Sequence, residues 1–414
     1  MNADRTGIAM PTRTLSNVAL SVLRACLVLA PGATLASDAA LKAVDRTTLQ
    51  SALATTAQDL MVPGALVLVR IGQDEFVVSS GTMELGAVRP PRADTHVRIA
   101  SITKTMTAAA IQLLAQDGTI RLDDPVAKYV AGAPNGERIT IANLLTMRSG
   151  LADYTDAPVL ADSLDHDPAR AWTDAELLAI AFKRPTLFPP GAAYNYCNTN
   201  YVLLGMAAEK ASGMDLARIF QTRLFGPLGM GESSLPARDS GALPQPFAHG
   251  YLYGGATYAL SDVPYPPEVQ AAARAGRLKP LDETDQNPSY ARAPGGAIST
   301  AADLATWIRA LVGGKVLNAQ SQQAWLDSLQ PEDPAAPDRQ AYGYGIALLK
   351  FAGTRMYFHG GEMPGYNSFI GYDPANDVTL IVWANLTLSV EGQLTANTIM
   401  NRMLDVIYVH GPGK

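Results

Sequence analysis

The chain has 414 residues, of which 48% are hydrophobic and 17% are charged, a composition typical of a globular protein with enough apolar material for a large core. The net charge of −6, without any basic run, argues against a nucleic-acid partner. The five histidines are scattered and no His-Glu-x-x-His pattern occurs, so we predict neither a metal site nor a cofactor.

The first 36 residues have the pattern of a secretory signal peptide. Two arginines precede an apolar stretch over residues 18–30, and small residues follow around the expected cleavage site. The stretch is short for a membrane span and contains Arg24, so we expect no stable membrane anchor. Cleavage would leave Cys197 as the single cysteine. We therefore expect a periplasmic or secreted protein that is monomeric and has no internal disulfide.

Predicted strands lie near the two ends of the chain, and the middle is mostly helical. An amphipathic helix over residues 38–60 precedes a hairpin of strands, residues 65–71 and 75–80. Further helices are predicted over residues 99–114, 139–147, 174–182, 200–212, 215–224 and 301–312. Strands return over residues 344–350, 355–358, 368–372 and 378–384, before a closing helix over residues 391–408.

This order predicts an α+β fold with one antiparallel sheet built from N-terminal and C-terminal pieces and flanked by helices. The sheet-bearing part would cover about residues 38–100 and 295–410, and a mostly helical part, about residues 101–294, would be inserted between them. Residues 236–290, rich in Pro, Gly and Tyr, are long for a structureless loop, so we expect this segment to be functional or mobile.

The segment IASITKTMTAAAIQLL, residues 99–114, contains the first candidate catalytic pair. If it is helical, Ser101 lies at the N-terminus and Lys104 lies one turn later on the same side. A serine hydroxyl becomes a nucleophile when a neighbouring base takes its proton, and an amine can do this if burial lowers its pKa. Alone, Ser-x-x-Lys is a weak motif, because a helix cap followed by a solvated lysine usually explains it.

Two further patterns carry candidate chemistry. Tyr196 and Asn198 follow a Pro-Pro-Gly break. A tyrosine beside a lysine can act with it as a general base. An asparagine can bind a substrate carbonyl or orient the lysine. His359, Gly360 and Gly361 stand at the end of a predicted strand, where glycines let a substrate lie along the strand edge and use its N–H groups. Each pattern alone is explained by a capped loop or a surface turn, but each occurs once and in this order.

The order Ser-x-x-Lys, Tyr-x-Asn, His-x-Gly resembles that of the serine β-lactamase and penicillin-binding-protein superfamily. Within it, the chain is most similar to secreted D-alanyl-D-alanine carboxypeptidases, beside class C β-lactamases and related esterases. The resemblance covers residues 62–386 and includes ITIANLLTMRSGLADYT, PGAAYNYCNTNYVLLG, APGGAISTAADL and FHGGEMPGYNS. It implies a β-lactamase/DD-peptidase-like domain over residues 38–410.

The resemblance also implies roles for the matching residues. Ser101 would accept the acyl group, and Lys104 and Tyr196 would share proton transfer. The N–H groups of Ser101 and Glu362 would form the oxyanion hole. The substrate-binding positions would be Asn198, Tyr290, His359, Gly360, Gly361 and Glu362.

Some positions depart from this family's pattern. Cys197 replaces the usual serine between Tyr and Asn, and Met147 stands where relatives often have histidine. The carboxypeptidases bind the terminal carboxylate with hydroxyl residues around the central glycine of the third motif and with an arginine on the preceding strand. Those positions here are Gly360, Glu362 and Ala347. A different strand register would bring Lys350 to the place of the arginine.

We therefore predict an exported serine hydrolase that forms an acyl-enzyme on Ser101. Its expected activity is that of a D-alanyl-D-alanine carboxypeptidase or related D-amino-acid peptidase, acting on small peptidoglycan-like peptides and binding β-lactams. An esterase or amidase, or a class C-like β-lactamase, on the same scaffold are alternatives. A non-catalytic peptidoglycan-binding module is disfavoured because all three motifs are intact.

Overall fold

The computed structural model describes residues 40–261 and 263–409, so the predicted signal peptide, residues 1–36, lies outside the described residues. The helices are α1 (Arg46–Asp59), α2 (Thr103–Gln116), α3 (Ile141–Leu145), α4 (Pro158–His166), α5 (Asp174–Phe182), α6 (Asn198–Ser212), α7 (Leu216–Phe220), α8 (Gly226–Leu228), α9 (Ala256–Leu260), α10 (Pro267–Arg274), α11 (Arg292–Gly295), α12 (Ala301–Val312), α13 (Ala319–Asp327) and α14 (Thr395–Ile407). The strands are β1 (Gly64–Ile71), β2 (Asp74–Gly81), β3 (Val97–Arg98), β4 (Tyr251–Leu252), β5 (Leu281–Asp282), β6 (Ile298–Ser299), β7 (Gln330–Pro331), β8 (Gln340–Tyr342), β9 (Ala347–Phe351), β10 (Thr354–Met363), β11 (Tyr366–Asp373) and β12 (Val378–Ala384).

Eight strands form one antiparallel sheet in the order β2-β1-β12-β11-β10-β9-β8-β7. The N-terminal hairpin is joined to the C-terminal strands because β1 pairs with β12, with Ala65 opposite Ala384 and Ile71 opposite Val378. The remaining strands form two short ladders, β3–β6 and β4–β5. An antiparallel sheet made from both ends of the chain and flanked by helices confirms the predicted α+β fold.

Both faces of the sheet are covered, and β1 shows why. Leu66 and Leu68 point into the core that contains α2, α6 and α12. Ala65, Val67 and Val69 point into a second core that contains α1 and α14. Because side chains alternate along a strand, one apolar strand of this kind can bury both of its faces. The helices of the first core carry the candidate catalytic pair.

Some elements differ from those predicted, for local reasons. Helix α1 begins at Arg46 rather than at residue 38 because the Asp45 side chain caps it, accepting a hydrogen bond from the Thr48 N–H at 2.7 Å. Helix α14 begins at Thr395 rather than at residue 391 because Gly392 lies in a turn with a φ of +77°.

The segment of residues 236–290 is not a structureless loop. It contains the helices α9 and α10 and the ladder β4–β5. The sequence pattern also missed β7 and β8, which have two and three residues and are too short to show a period. Within residues 40–261 and 263–409, no helix is both long and apolar enough to cross a membrane.

Candidate active site

Ser101 and Lys104 lie together at the start of α2. Ser101 is in a 3₁₀ turn, Ala100–Ile102, that leads directly into the helix, and the preceding Ala100 has a φ of +47°. The Lys104 Nζ atom is 2.8 Å from Ser101 Oγ. Lys104 is fully buried, whereas Ser101 lines a cavity. The structure thus brings the two residues into the geometry that a base and its nucleophile require.

The Lys104 amine has three polar neighbours, and their chemistry determines where its lone pair can point. Besides Ser101 Oγ, Nζ contacts the side-chain oxygen of Asn198 at 2.7 Å and the carbonyl oxygen of Pro294 at 3.0 Å. Both of these oxygens can only accept. A neutral amine has two N–H groups and one lone pair, so its two hydrogens go to Asn198 and Pro294. The lone pair is then left for the hydroxyl of Ser101.

The electrostatics of the pocket favour this neutral form near pH 7. Burial lowers the pKa of Lys104 from 10.5 to about 7, and the carboxylate of Asp153 opposes that shift. The amine is therefore available as a base at neutral pH.

Tyr196 lies on the other side of the amine, and its ring centre is 4.8 Å from Lys104 Nζ. Although 37% of the residue remains exposed, desolvation of the phenol raises its pKa well above the usual value, against a hydrogen bond with Ser101 that lowers it. The phenol is therefore protonated at neutral pH. In this state Tyr196 can donate a proton, but it is not a phenolate base.

The third motif lies inside a strand and not after one. Strand β10 extends to Met363 because His359, Gly360 and Gly361 pair with β11. Strand β9 pairs with β10 only as far as Phe358. Beyond that residue, only one edge of β10 is paired by the strands in the described sheet. Over residues 359–363, the edge of β10 that faces away from β11 therefore carries no strand of the described sheet, and a substrate backbone can lie along it.

The two glycines of this motif have different surroundings. A Cβ atom on Gly361 would lie 2.2 Å from the carbonyl oxygen of Ile99 and 2.3 Å from Ser368 Oγ, so β10 passes directly against the chain before Ser101. A Cβ atom on Gly360 would meet nothing closer than 3.9 Å. Gly361 is thus required for packing, whereas Gly360, which lines the cavity, has room for a methyl group.

His359 is a neutral residue in this site. Its Nδ1 lies 2.6 Å from the Gly360 carbonyl oxygen, which can only accept, so Nδ1 carries the hydrogen. Its Nε2 then accepts from the Tyr342 hydroxyl at 3.0 Å. Burial, together with the charge of Lys104, lowers the pKa of His359 to about 3. This side chain therefore supplies no positive charge to the site.

These residues surround a cavity of about 630 Å³. The cavity is lined by all but one of the predicted site residues: Ser101, Tyr196, Asn198, Tyr290, His359, Gly360, Gly361 and Glu362. Lys104, the exception, is buried and reaches Ser101 from inside the protein. Ala347 also lines the cavity, whereas Lys350 is not among the lining residues and pairs with Asp338 at 3.1 Å. Lys350 therefore does not replace the missing arginine.

The two unusual residues of the motifs contact one another. The N–H of Cys197 is directed at the sulfur of Met147 at 3.4 Å, and the Cys197 thiol contacts the Leu151 carbonyl oxygen at 3.5 Å. Burial raises the pKa of this thiol, so it stays protonated. Cys197 is thus a packing residue and not a second nucleophile.

Sequence reasoning missed Asp153, which lines the cavity and holds Asn198. Its Oδ2 atom accepts from the backbone N–H of Asn198 at 2.6 Å and from Asn198 Nδ2 at 3.0 Å. The signal was present, because Asp153 belongs to the segment LADYT within a family-like motif. However, an aspartate that accepts a hydrogen bond from the N–H two residues later is also an ordinary turn cap. Asp153 caps such a turn through the N–H of Thr155.

Comparisons with known proteins agree with this geometry. The sequence profile of the family described as "Beta-lactamase" matches residues 49–401. The chain belongs to the beta-lactamase family. One relative by sequence is penicillin-binding protein 4* of Bacillus subtilis, which is 27% identical over 78% of this chain and 68% of its own length. A D-aminopeptidase of Brucella anthropi is 28% identical over 78% of this chain and 56% of its own length. The chain thus spans about half to two thirds of these relatives.

Solved structures with a similar fold cover most of this chain. A D-stereospecific amidohydrolase from Streptomyces has a TM-score of 0.73 and 29% identity, covering 86% of this chain and 98% of its own. A D-amino acid amidase from Ochrobactrum anthropi has a TM-score of 0.72 and 25% identity, covering 87% and 98%. As a member of this serine-hydrolase family, the chain is an enzyme. Among its described residues, no group of three or more His, Cys, Asp or Glu side chains could hold a metal ion.

Proposed function

We propose that this protein is an exported serine hydrolase that forms an acyl-enzyme on Ser101 and cleaves amides or esters of D-amino acids whose carboxyl end is blocked. The observation that carries the proposal is the charge of the cavity. Four carboxylates line it, those of Asp153, Asp156, Glu332 and Glu362, and its described lining includes no lysine or arginine. Such a wall repels a substrate carboxylate and favours a substrate with a free amino group.

The surroundings of Asp156 and Glu332 moderate the charges of these two acids without reversing them. Asp156 lies 3.3 Å from an arginine, Arg184, that is outside the cavity lining. Glu332 accepts a hydrogen bond from Gln340 at 2.8 Å. The neutral His359 adds no compensating cation. The cavity thus lacks the charge-assisted donors with which a free carboxylate is usually bound.

The proposed acylation begins with neutral Lys104. The amine takes the proton of Ser101 as Oγ bonds to the substrate carbonyl carbon, and the carbonyl π bond becomes an oxyanion. The N–H groups of Ser101 and Glu362 would bind that oxyanion. The tetrahedral intermediate then collapses, and the leaving amine or alcohol receives a proton from Tyr196, which is replenished from Lys104.

Deacylation runs the same steps with water in place of the leaving group. Water loses its proton to Lys104, attacks the ester carbonyl carbon, and releases the acid while Ser101 recovers its hydrogen. Asn198 and Tyr290 would lie along the bound substrate, and the edge of β10 that faces away from β11 would hold its backbone. The D-configuration is supported by the names of the similar D-aminopeptidase and D-amino acid amidase.

Export is supported by the signal-peptide pattern of residues 1–36. We expect a periplasmic or secreted enzyme that works as a monomer on small substrates, without a nucleic-acid partner. Intact-mass analysis of exported protein should show a chain that begins near residue 37. Retention of residues 1–36 would contradict this part of the proposal.

The substrate class is tested with matched compounds. We expect D-phenylalanine amide to be hydrolysed, its N-acetyl derivative to have a kcat/KM lower by about tenfold, and the L-enantiomer to react more slowly still. Replacing the free C-terminus of an acyl-D-Ala-D-Ala peptide by an amide should cost little or improve turnover. A preference of more than about tenfold for the free carboxylate, roughly 1.4 kcal/mol, would contradict the proposal.

A strict D-alanyl-D-alanine carboxypeptidase is the second candidate. It is favoured by a 180-residue match, 32% identical, to a protein named D-alanyl-D-alanine-carboxypeptidase/endopeptidase from Escherichia coli, which covers 41% of this chain. The same substrate pairs decide between the two activities, because the carboxypeptidase requires the carboxylate that the acidic cavity disfavours. A fluorescent penicillin that labels Ser101 would support acyl-enzyme formation in either case.

A further inference from the structure

The carboxyl group of Asp153 has no role in the proposed proton transfers, yet it is only 5% exposed and makes three hydrogen bonds. Its Oδ1 atom accepts from the N–H of Thr155 at 3.1 Å. Its Oδ2 atom accepts from both the backbone N–H and the side-chain Nδ2 of Asn198. A buried carboxylate is costly unless its oxygens are bound in this way. This arrangement fixes one residue, Asn198, at two points.

Fixing Asn198 also fixes which end of its amide meets the lysine. The Nδ2 atom donates to Asp153 at 3.0 Å and to Thr155 Oγ1 at 3.2 Å. With the nitrogen held there, the oxygen faces Lys104 Nζ at 2.7 Å. If the amide turned over, its hydrogens would face the amine, and the Lys104 lone pair would bond to them instead of to Ser101. Burial raises the pKa of Asp153, and the N–H groups of Asn198 and Thr155 oppose that shift. Because both carboxyl oxygens accept from these N–H groups, Asp153 disfavours the turned-over amide, whose oxygen would face it.

We propose that Asp153 is a positioning residue that acts through Asn198 to keep the Lys104 lone pair directed at Ser101 and, through its charge, sets the protonation balance of the amine. The inference rests on the proposed roles of Ser101 and Lys104. It goes beyond them because Asp153 touches neither the nucleophile nor the reacting atoms. It lies one hydrogen-bonded residue away from the base.

The charge effect has a definite sign. Burial lowers the pKa of Lys104, and Asp153 is the largest influence that raises it again, followed by Cys197. The other groups that face the amine are the rings of Tyr196 and Tyr201, with centres 4.8 and 5.7 Å from Nζ, and His359, which is neutral. Removing the carboxylate charge should therefore lower the pKa of Lys104 further. The free base would then persist to lower pH.

The test is Asp153→Asn, assayed with p-nitrophenyl acetate, a reporter ester that does not depend on the natural substrate. In the wild-type protein, kcat/KM should rise with pH through a midpoint near 7 as Lys104 loses its proton. In the variant, the midpoint should move to lower pH by about half a unit or more, and the plateau of kcat should fall by about tenfold or more. A purely structural role would lower the amount of folded enzyme without moving the midpoint.

Asp123→Asn is the matched control, because it removes the same charge from a side chain that is 69% exposed and pairs with Arg121. Its midpoint should stay at the wild-type value. An unchanged midpoint in Asp153→Asn, or one at higher pH, would overturn the inference. If Ser101 in the wild-type protein does not react with the ester, the proposed function itself fails, which is a different result.

A second variant covers the case in which Asp153→Asn does not fold. Thr155→Val keeps Asp153 and removes only the second acceptor of the Asn198 amide. Loss of this hydrogen bond should lower kcat by about two- to fivefold with little change in KM, because the base is less well oriented. An unchanged kcat in Thr155→Val would overturn the positioning role.

Discussion

The two walls of the cavity are built in different ways. On the helical wall, the buried Lys104 and Asp153 and the half-buried Asn198 form a chain in which each polar atom facing the next has a partner. On the strand wall, the positions that matter are Gly360, which has no side chain, and Ala347, which has a small one. The side chains of the helical wall therefore determine the reaction. The lack of large side chains on the strand wall determines which substrates fit.

This difference separates chemistry from specificity within one site. A base must be held to within a fraction of an ångström, so the residues that hold it cannot vary independently. A strand edge binds any extended backbone, and side chains around it decide which end groups fit. Members of one family can therefore share the acyl-transfer reaction and still differ in the end group of the substrate that they prefer. The following predictions test the helical wall first, because we expect the largest effects there.

Ser101→Ala should remove nearly all turnover and all covalent labelling by a fluorescent penicillin, because no other described hydroxyl has a lysine amine in the same arrangement. We expect a fall in kcat of about a thousandfold or more. Labelling is followed by gel fluorescence and peptide mapping. Ser51→Ala, on the exposed side of α1, is the control and should behave as wild type. Labelling that persists in Ser101→Ala would refute the assignment of the nucleophile.

Lys104→Met should lower kcat by a similar factor while the protein remains folded, because Met fills the buried site without a charge to desolvate. Its stability should also depend less on pH. Between about pH 7 and pH 10.5, the unfolded chain binds a proton that folded Lys104 does not, so this group makes the free energy of unfolding rise with pH over that window.

Urea unfolding at about pH 7 and pH 9 measures that rise in both proteins, and Lys104→Met should show the smaller one. Lys210→Met, at an exposed position of α6, controls for the loss of a lysine. An equal rise in wild type and Lys104→Met would show that the amine is not held neutral.

Gly361→Ala and Gly360→Ala test the strand wall as a matched pair. A methyl group on Gly361 would collide with Ile99 and Ser368, so we expect a loss of about 1–3 kcal/mol in stability and about 10- to 100-fold in activity. A methyl group on Gly360 would make only ordinary van der Waals contacts, so the free energy of unfolding should stay within about 0.5 kcal/mol of wild type. Thermal and chemical unfolding measure both. Equal destabilisation of the two variants would contradict the different roles assigned to these glycines.

Glu362→Gln should produce the smallest effect and should alter selectivity more than rate. Removing one of the four carboxylates weakens the repulsion of a free substrate carboxylate by about 1 kcal/mol. The ratio of kcat/KM for free over amide-capped peptide should rise by about fivefold. Glu137→Gln, exposed and outside the cavity lining, should leave the ratio unchanged. A ratio that does not move in Glu362→Gln would remove that side chain from the selectivity argument.

The sequence predicted those parts of the site that depend on local spacing. Ser101 and Lys104 are three residues apart where a 3₁₀ turn runs directly into α2, so their proximity follows from local helical geometry. The fold class followed from strands at both ends of the chain. The predicted end of β10, at residue 358, was wrong. Two glycines normally weaken a strand, but here Gly361 is required because Ile99 approaches the strand closely.

Other features could not be predicted because they depend on contacts between distant segments. Asp153 reaches Asn198 across 45 positions in the chain, and its turn-cap pattern gave no sign of that contact. The direction of Lys350, toward Asp338, depends on a loop whose path the sequence does not reveal. The acidity of the cavity likewise arises from three separate segments that meet only in the folded protein.

The pairing of β1 with β12 has a consequence for how the chain folds. Ala65 must find Ala384, more than three hundred positions later, before the central strands of the sheet are complete. Contacts of such long range raise contact order and slow folding, because the entropy of closing the loop is lost before the contact stabilises anything. A ribosome would have made nearly the whole domain before this sheet could close. The nascent chain therefore stays incompletely folded throughout most of its synthesis, which is the state in which a chaperone can bind it.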